Sequence, residues 1–330
     1  MKPLRLQAAH RSPSRFLPHF LQRFLPHFLL LSLATISAGC SATNPSSADN
    51  LIAVGSANMP VTIYAAGDIA ECHHVAAKDS MAARTADLIA SALADDHTAV
   101  ALTLGDNAYP NGSATDYQNC YDPTWGRFKQ RTLPSPGNHE YHTPAATAYY
   151  DYFGALAGPP HRGYYSASVG AWHVISLNSN LIGEAQKAQL DWLKTDLAAH
   201  RGGCKLAFWH HPVYSSGSHG NNGLMRDAWR LLAAAGTDLV LSGHDHDYER
   251  FAPQDVDGNI DLQHGIRQFV VGSGGGGLTK MRARRAHSEA VDNSSYGVIK
   301  LQLLPAGYAW NYLAVGESAQ ADRGNADCHR

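Results

Sequence analysis

No stretch of this 330-residue chain stays apolar over the roughly twenty residues that a membrane-crossing helix needs, which excludes a helical membrane bundle. Positive charge is not in surplus either. With 26 Lys and Arg against 28 Asp and Glu the net charge is −2, which argues against a protein that follows nucleic acid by bulk attraction. Cysteine is scarce, five in all, and none of the spacings is that of a zinc ribbon, which argues against a structural metal site. The glycine run from Gly274 to Gly277 lacks the Lys and Ser/Thr of a phosphate loop and reads as a flexible turn. No linker composition interrupts the chain beyond Val61, which leaves one domain over 59–330. At 44% apolar and 16% charged residues, the composition is that of an ordinary globular protein.

What is present begins with a leader. Residues 1–39 carry five basic residues and no acid, and lead into the apolar run 28–38 (Phe-Leu-Leu-Leu-Ser-Leu-Ala-Thr-Ile-Ser-Ala), as a signal peptide for export does. The sequence Ser37-Ala38-Gly39-Cys40 resembles a bacterial lipoprotein cleavage box, with the lipid on Cys40. Leu is usual where Ser37 stands, so ordinary signal cleavage is the alternative. The expected location is the bacterial periplasm or a membrane-anchored lipoprotein, otherwise secretion. Without those five bases, 21 basic residues face 28 acidic ones, a body at −7. Residues 40–58 are small and polar, a flexible tether. Four cysteines remain beyond Cys40, an even number that favours two disulfides in an oxidising compartment, with three pairings open. Cys72–Cys120 and Cys204–Cys328 are preferred, the first joining two motif-bearing loops and the second pinning the tail.

Short apolar runs at 61–67, 98–105, 172–177, 205–211, 237–243 and 267–272 have the length and β-branching of buried strands. Helical patterns lie at 80–94, 184–200 and 224–235. Strand–helix alternation predicts an α/β domain. The tail predicts two strands, 296–304 and 308–315, around Pro305-Ala-Gly307.

Most of these runs end in residues that bind cations: Gly67-Asp68, Gly105-Asp106-Asn107-Ala108-Tyr109, His210-His211-Pro212 and Gly243-His244-Asp245-His246; Gly137-Asn138-His139-Glu140 follows a short extended stretch. Ligand sites in α/β folds gather at the carboxyl ends of strands. Each piece alone is more simply a turn or a cap. The complete set supplies oxygen and nitrogen donors for two ions, and an Asp with both carboxylate oxygens free bridges ions about 3.5–4 Å apart.

The series resembles the calcineurin-like metallophosphoesterases, and within them the purple acid phosphatases. The superfamily usually has Asp-x-His in its first motif, whereas Asp68-Ile-Ala70 has no His. Purple acid phosphatases share that gap and use the Tyr of Gly-Asp-x-x-Tyr, here Tyr109. The resemblance implies a four-layer αββα sandwich and hydrolysis of phosphate monoesters by a metal-bound hydroxide at a binuclear Fe(III)–M(II) centre. It implies Fe(III) held by Asp68, Asp106, Tyr109 and His246. The second ion, divalent (Zn, Fe or Mn), falls to Asp106 as bridge with Asn138, His210 and His244. His139 and His219 are then the residues that face the phosphate, His139 as proton donor or charge stabiliser. A phenolate with two carboxylates is a hard anionic set suited to a trivalent ion, and imidazoles with an amide suit a divalent one.

Other residues read more plainly. His73 and His74 are expected on an exposed loop, Asp245 as orienting a histidine or the turn, and Lys280 to Arg285 as a solvated loop. Tyr141 and His142 are placed to reach substrate. The expected partner is a small phosphorylated substrate, not nucleic acid. A phosphodiesterase of the same superfamily and a non-catalytic surface lipoprotein that binds metal or phosphate are the alternatives.

Overall fold

The computed structural model describes residues 50–316 and 322–329. The leader, Cys40 and the first part of the tether lie outside the described residues. Fourteen strands form two mixed sheets. In the six-stranded sheet, β2 (Val61–Ala66), β3 (Val100–Leu104) and β4 (Thr132–Ser135) run parallel. On the other side of β2 lie β12 (Gly297–Leu304), β13 (Gly307–Ala314) and β14 (Arg323–Asp327), all antiparallel. The eight-stranded sheet is ordered β1 (Asn50–Val54), β5 (Tyr165–Val169), β6 (Trp172–Ser176), β7 (Lys205–Phe208), β8 (Leu239–Ser242), β10 (Arg267–Val271), β9 (Tyr248–Phe251), β11 (Ser288–Asp292).

The central strands of that sheet are apolar on both faces, and alternate residues enter two different cores. Leu206 and Phe208, Leu239 and Leu241, and Phe269 and Val271 belong to the core between the sheets. Ala207, Val240 and Val270 belong to the core under α4 (Gly183–Ala199) and α5 (Arg226–Ala234), with Leu193, Trp229 and Leu232. Burying each such large side chain contributes about 1.5–3 kcal/mol. The helix α1 (Met81–Asp95) packs on the six-stranded sheet through Ile89 and Leu93. Its N-terminus is capped by the Ser80 hydroxyl, which accepts from the Ala83 N–H at 3.2 Å. The layers are therefore helix, sheet, sheet, helix. One helical turn, α2 (Ala114–Asp116), and α3 (Thr147–Phe153) lie between β3 and β5.

Two expectations are corrected. The tether does not extend through 58, because Asn50–Val54 pairs in parallel with β5. The run 274–277 is no flexible turn: Gly274 to Gly276 are buried, and the Gly274 and Gly276 N–H groups donate to the Gly67 and Asp68 carbonyls at 3.0 and 2.7 Å. A Cβ on Gly275 would sit 2.3 Å from the Ile69 carbonyl, so the backbones meet there because side chains are missing. The disulfides are Cys72–Cys120 and Cys204–Cys328, with Cα–Cα distances of 5.8 and 5.5 Å. Among the described residues no helix is long and apolar enough to cross a membrane.

Candidate metal centre

The chain turns sharply where strands end. Asp68, Asp106 and His244 each follow a glycine and each adopt positive φ, at 58°, 49° and 72°. Non-glycine residues held there cost about 1–3 kcal/mol, a strain that recurs at functional sites. The preceding glycines are required by close approach. A Cβ on Gly105 would lie 2.6 Å from His210 Nδ1, and one on Gly243 would lie 2.6 Å from Asp68 Oδ2.

These turns bring together all seven residues expected to hold metal. The Tyr109 hydroxyl lies 3.0 Å from Asp68 Oδ1, 3.3 Å from Asp106 Oδ2 and 3.2 Å from His246 Nε2. Beside it, His210 Nε2 lies 3.2 Å from the same Asp106 Oδ2, 3.0 Å from Asn138 Oδ1 and 3.1 Å from His244 Nδ1. One oxygen, Asp106 Oδ2, therefore belongs to both groups. Its other oxygen, Oδ1, accepts the His139 N–H at 2.8 Å.

The donors fit cations. Asp68 and Asp106 are buried, and their side-chain partners among the described residues are Tyr109 and imidazoles rather than Lys or Arg. Buried carboxylates need a cationic partner or a bound metal. Protons stand in for it in the protein alone. Burial lowers His210 and His246, but Asp106 and Asp68 outweigh it and lift each to about 9. Burial raises Asp106, yet His210 and His139 hold it below the usual carboxylate range. His244 is pushed far down by burial and then by His210, His211 and His219. Burial, then Asp68 and Asp106, push the Tyr109 hydroxyl well above its ordinary value, so its phenolate form requires a cation nearby.

Each half of the cluster hangs on a buried acid. Glu140 accepts the backbone N–H groups of Asp106, Asn107 and Gly137 at 3.0, 2.9 and 2.6 Å, and the Tyr117 hydroxyl at 3.1 Å. Burial first, then Asp106, lifts its carboxyl to about 7. Sequence reasoning missed this role, although Glu140 ends the Gly-Asn-His-Glu motif. Asp245 accepts the His219 and Gly220 N–H groups at 2.8 and 3.1 Å, and the Ser215 hydroxyl.

The residues expected to face substrate stand at the rim. His139 is partly exposed, with Nδ1 donating to the Pro110 carbonyl at 2.6 Å and Nε2 3.8 Å from Asp106 Oδ2. His219 is half exposed; its Nδ1 lies 3.1 Å from Asp245 Oδ1 and its ring 4.2 Å from that of His244. His142 is exposed beside His139. Tyr141 is turned aside, its hydroxyl accepting the Asn178 amide at 2.7 Å. His211, read as a neighbour only, brings a ring nitrogen within 4.8 Å of those of His210 and His244. Its Nδ1 is 2.8 Å from the Ser179 hydroxyl, and burial followed by His210 holds it down to about 3. His73 and His74 are exposed, as expected.

Two apposed sheets that deliver paired oxygen and nitrogen donors to one edge define a fold and site of metallophosphoesterase type. The chain belongs to the calcineurin-like phosphoesterase family, whose model matches residues 61–248. It is 30% identical to purple acid phosphatase 15 of Arabidopsis thaliana over 186 residues, covering 45% of this chain and 35% of that one. The chain thus spans little more than a third of that relative's length. In structure it is similar to the purple acid phosphatase PPD1 of yellow lupin, with TM-score 0.65 and 16% identity, covering 82% of this chain and 54% of that one. It is equally similar to GAP50, the anchor in the inner membrane complex of Plasmodium, with TM-score 0.66 and 14% identity, covering 82% and 90%. Likenesses so distant in sequence show the fold alone.

Proposed function

We propose that the protein is a metal-dependent phosphomonoesterase of purple acid phosphatase type. The observation that carries this is Tyr109. The first motif lacks its histidine, Ala70 being buried in its place, and the Tyr109 hydroxyl stands instead among Asp68, Asp106 and His246. Asp68, Asp106, Tyr109 and His246 form a hard, anionic set for Fe(III). Asp106, Asn138, His210 and His244 form the set for a divalent ion, Zn, Fe or Mn. Two such ions supply Lewis acidity towards a phosphoryl oxygen and a lowered pKa for the attacking water.

The chain's own groups do the rest. The bond from His139 Nδ1 to the Pro110 carbonyl fixes the ring, so Nε2 faces the centre. A proton held there can pass to the leaving alkoxide or stabilise charge on the phosphoryl oxygens. His219, held by Asp245, faces the same space from the other side. Export, with or without a lipid on Cys40, is supported by the two disulfides, which persist in oxidising compartments.

The test is metal analysis of purified protein, its visible spectrum, and turnover of nitrophenyl phosphate against bis(nitrophenyl) phosphate. Expected are bound iron, a phenolate-to-iron absorption band abolished by Tyr109→Phe, and faster turnover of the monoester. Full activity in colourless, iron-free protein would overturn the iron assignment. A faster diester would make it a phosphodiesterase.

A further inference from the structure

We infer that Arg285 makes the site selective for phosphate esters whose leaving group carries a second anionic group. The inference rests on the phosphatase reading above. The segment 277–285 walls one side of the metal centre. It starts at a metal-binding histidine: the Gly277 carbonyl accepts His246 Nδ1 at 2.7 Å, and the Thr279 N–H donates to the His246 carbonyl at 3.2 Å. It ends on the loop that presents His219. The Arg282 N–H donates to the Ser216 carbonyl at 2.9 Å, and the Arg285 N–H to the Ser216 hydroxyl at 2.8 Å.

Arg285 is exposed, and its Nε–H donates to the Ser215 carbonyl at 3.3 Å. A Cβ on Gly220, the residue after His219, would lie 3.4 Å from Arg285 Nη2. The guanidinium is therefore held against the His219 loop, beside Gly220. Among the described residues no carboxylate pairs with it. Arg250 and Arg267, by contrast, are spent on Asp322 and Glu289. Within a chain of net charge −2, the six residues from Lys280 to Arg285 hold four cations and no acid. A leaving group passing His219 on its way out meets a fixed, unpaired fork. A neutral alcohol gains nothing there. A second phosphate gains a paired, charge-assisted contact.

The experiment measures kcat and KM of the metal-loaded enzyme on 3-hydroxypropyl phosphate, propane-1,3-diol bisphosphate and nitrophenyl phosphate. The bisphosphate should be preferred over the hydroxypropyl ester by about tenfold, the scale of one charge-assisted hydrogen bond, with the gain in KM. Arg285→Gln should remove that preference and Arg285→Lys should keep part of it. A wild-type enzyme without the preference, or a preference that survives in Arg285→Gln, overturns the inference. An equal change for all three esters assigns Arg285 a structural role instead, which also overturns it. No turnover of any of the three, with both metals bound, removes the phosphatase reading and this inference with it.

Discussion

Asp68, Asp106, Tyr109 and Asn138 all follow strands of the six-stranded sheet, whereas His210, His244 and His246 all follow strands of the eight-stranded sheet. Oxygen donors thus come from one layer and nitrogen donors from the other. The oxygen half is mostly closed: Asp68, Asp106 and Tyr109 are 0%, 2% and 7% exposed, and its loops are stapled from behind by Glu140. In the nitrogen half only His210 is fully buried, and its supporting acid, Asp245, grips the loop that carries His219 out towards solvent. One half is built to concentrate negative charge in a rigid frame. The other is built to hold imidazoles while presenting groups to a ligand.

The sharpest way to break this division is at the shared atom. Asp106→Asn weakens the oxygen that serves both halves. Both metals should be lost and turnover should fall by on the order of a thousandfold. Retention of one metal at full occupancy would move the bridge elsewhere.

Glu140→Gln comes next. It sets an amide against backbone N–H groups that now point at a carboxylate. Metal affinity should fall about 10–100-fold, as it does when outer partners of ligands are removed. Stability should fall by roughly 3 kcal/mol in a denaturant titration, because buried donors lose their acceptor. Unchanged metal affinity would mean that the staple is dispensable to the oxygen half.

Asp245→Asn should act on the other half alone. Both metals should stay, while KM for nitrophenyl phosphate rises about tenfold as the His219 loop loosens, the scale of one weakened charge-assisted bond. Loss of metal would show that Asp245 supports the liganding histidines, and the proposed split would fail.

The smallest effect concerns pH. His210 and His246 are lifted to about 9 in the metal-free protein. A raised histidine contributes stability that is complete below its unfolded value and is lost as pH rises through the folded one. Metal-free protein should therefore lose stability between about pH 6.5 and 9. Metal uptake displaces these two protons and that of the Tyr109 hydroxyl, so it should strengthen as pH rises. A melting temperature flat across that window would contradict the charge arrangement of the nitrogen half.

β5 and β9 are buried too but, carrying Ser, Glu or Arg, went unread, whereas six other buried strands were legible and match to within a few residues at their ends. The edge strands were not: β11 (Ser288–Asp292) and β14 (Arg323–Asp327) carry little apolar pattern and pair because a neighbour offers free backbone groups. The seven candidate donors that the fold brings together were legible as a set of motifs. Glu140 was not, since most of its partners are backbone groups, which leave no trace in side-chain chemistry. The tie from the His139 N–H to Asp106 Oδ1 was hidden for the same reason.

β2, which leads into Asp68, lies between β3 and β12, and β13 and β14 extend the sheet beyond β12. Asp68, the first residue of the candidate metal-ligand series, thus depends on strands that lie far along the chain and are made long after it. A chain cut short before Gly297 leaves one side of β2 bare and Asp68 without its frame. Filling of the candidate centre would in that sense report on translation: a chain that stops before β12 should lack the frame that its first donor needs.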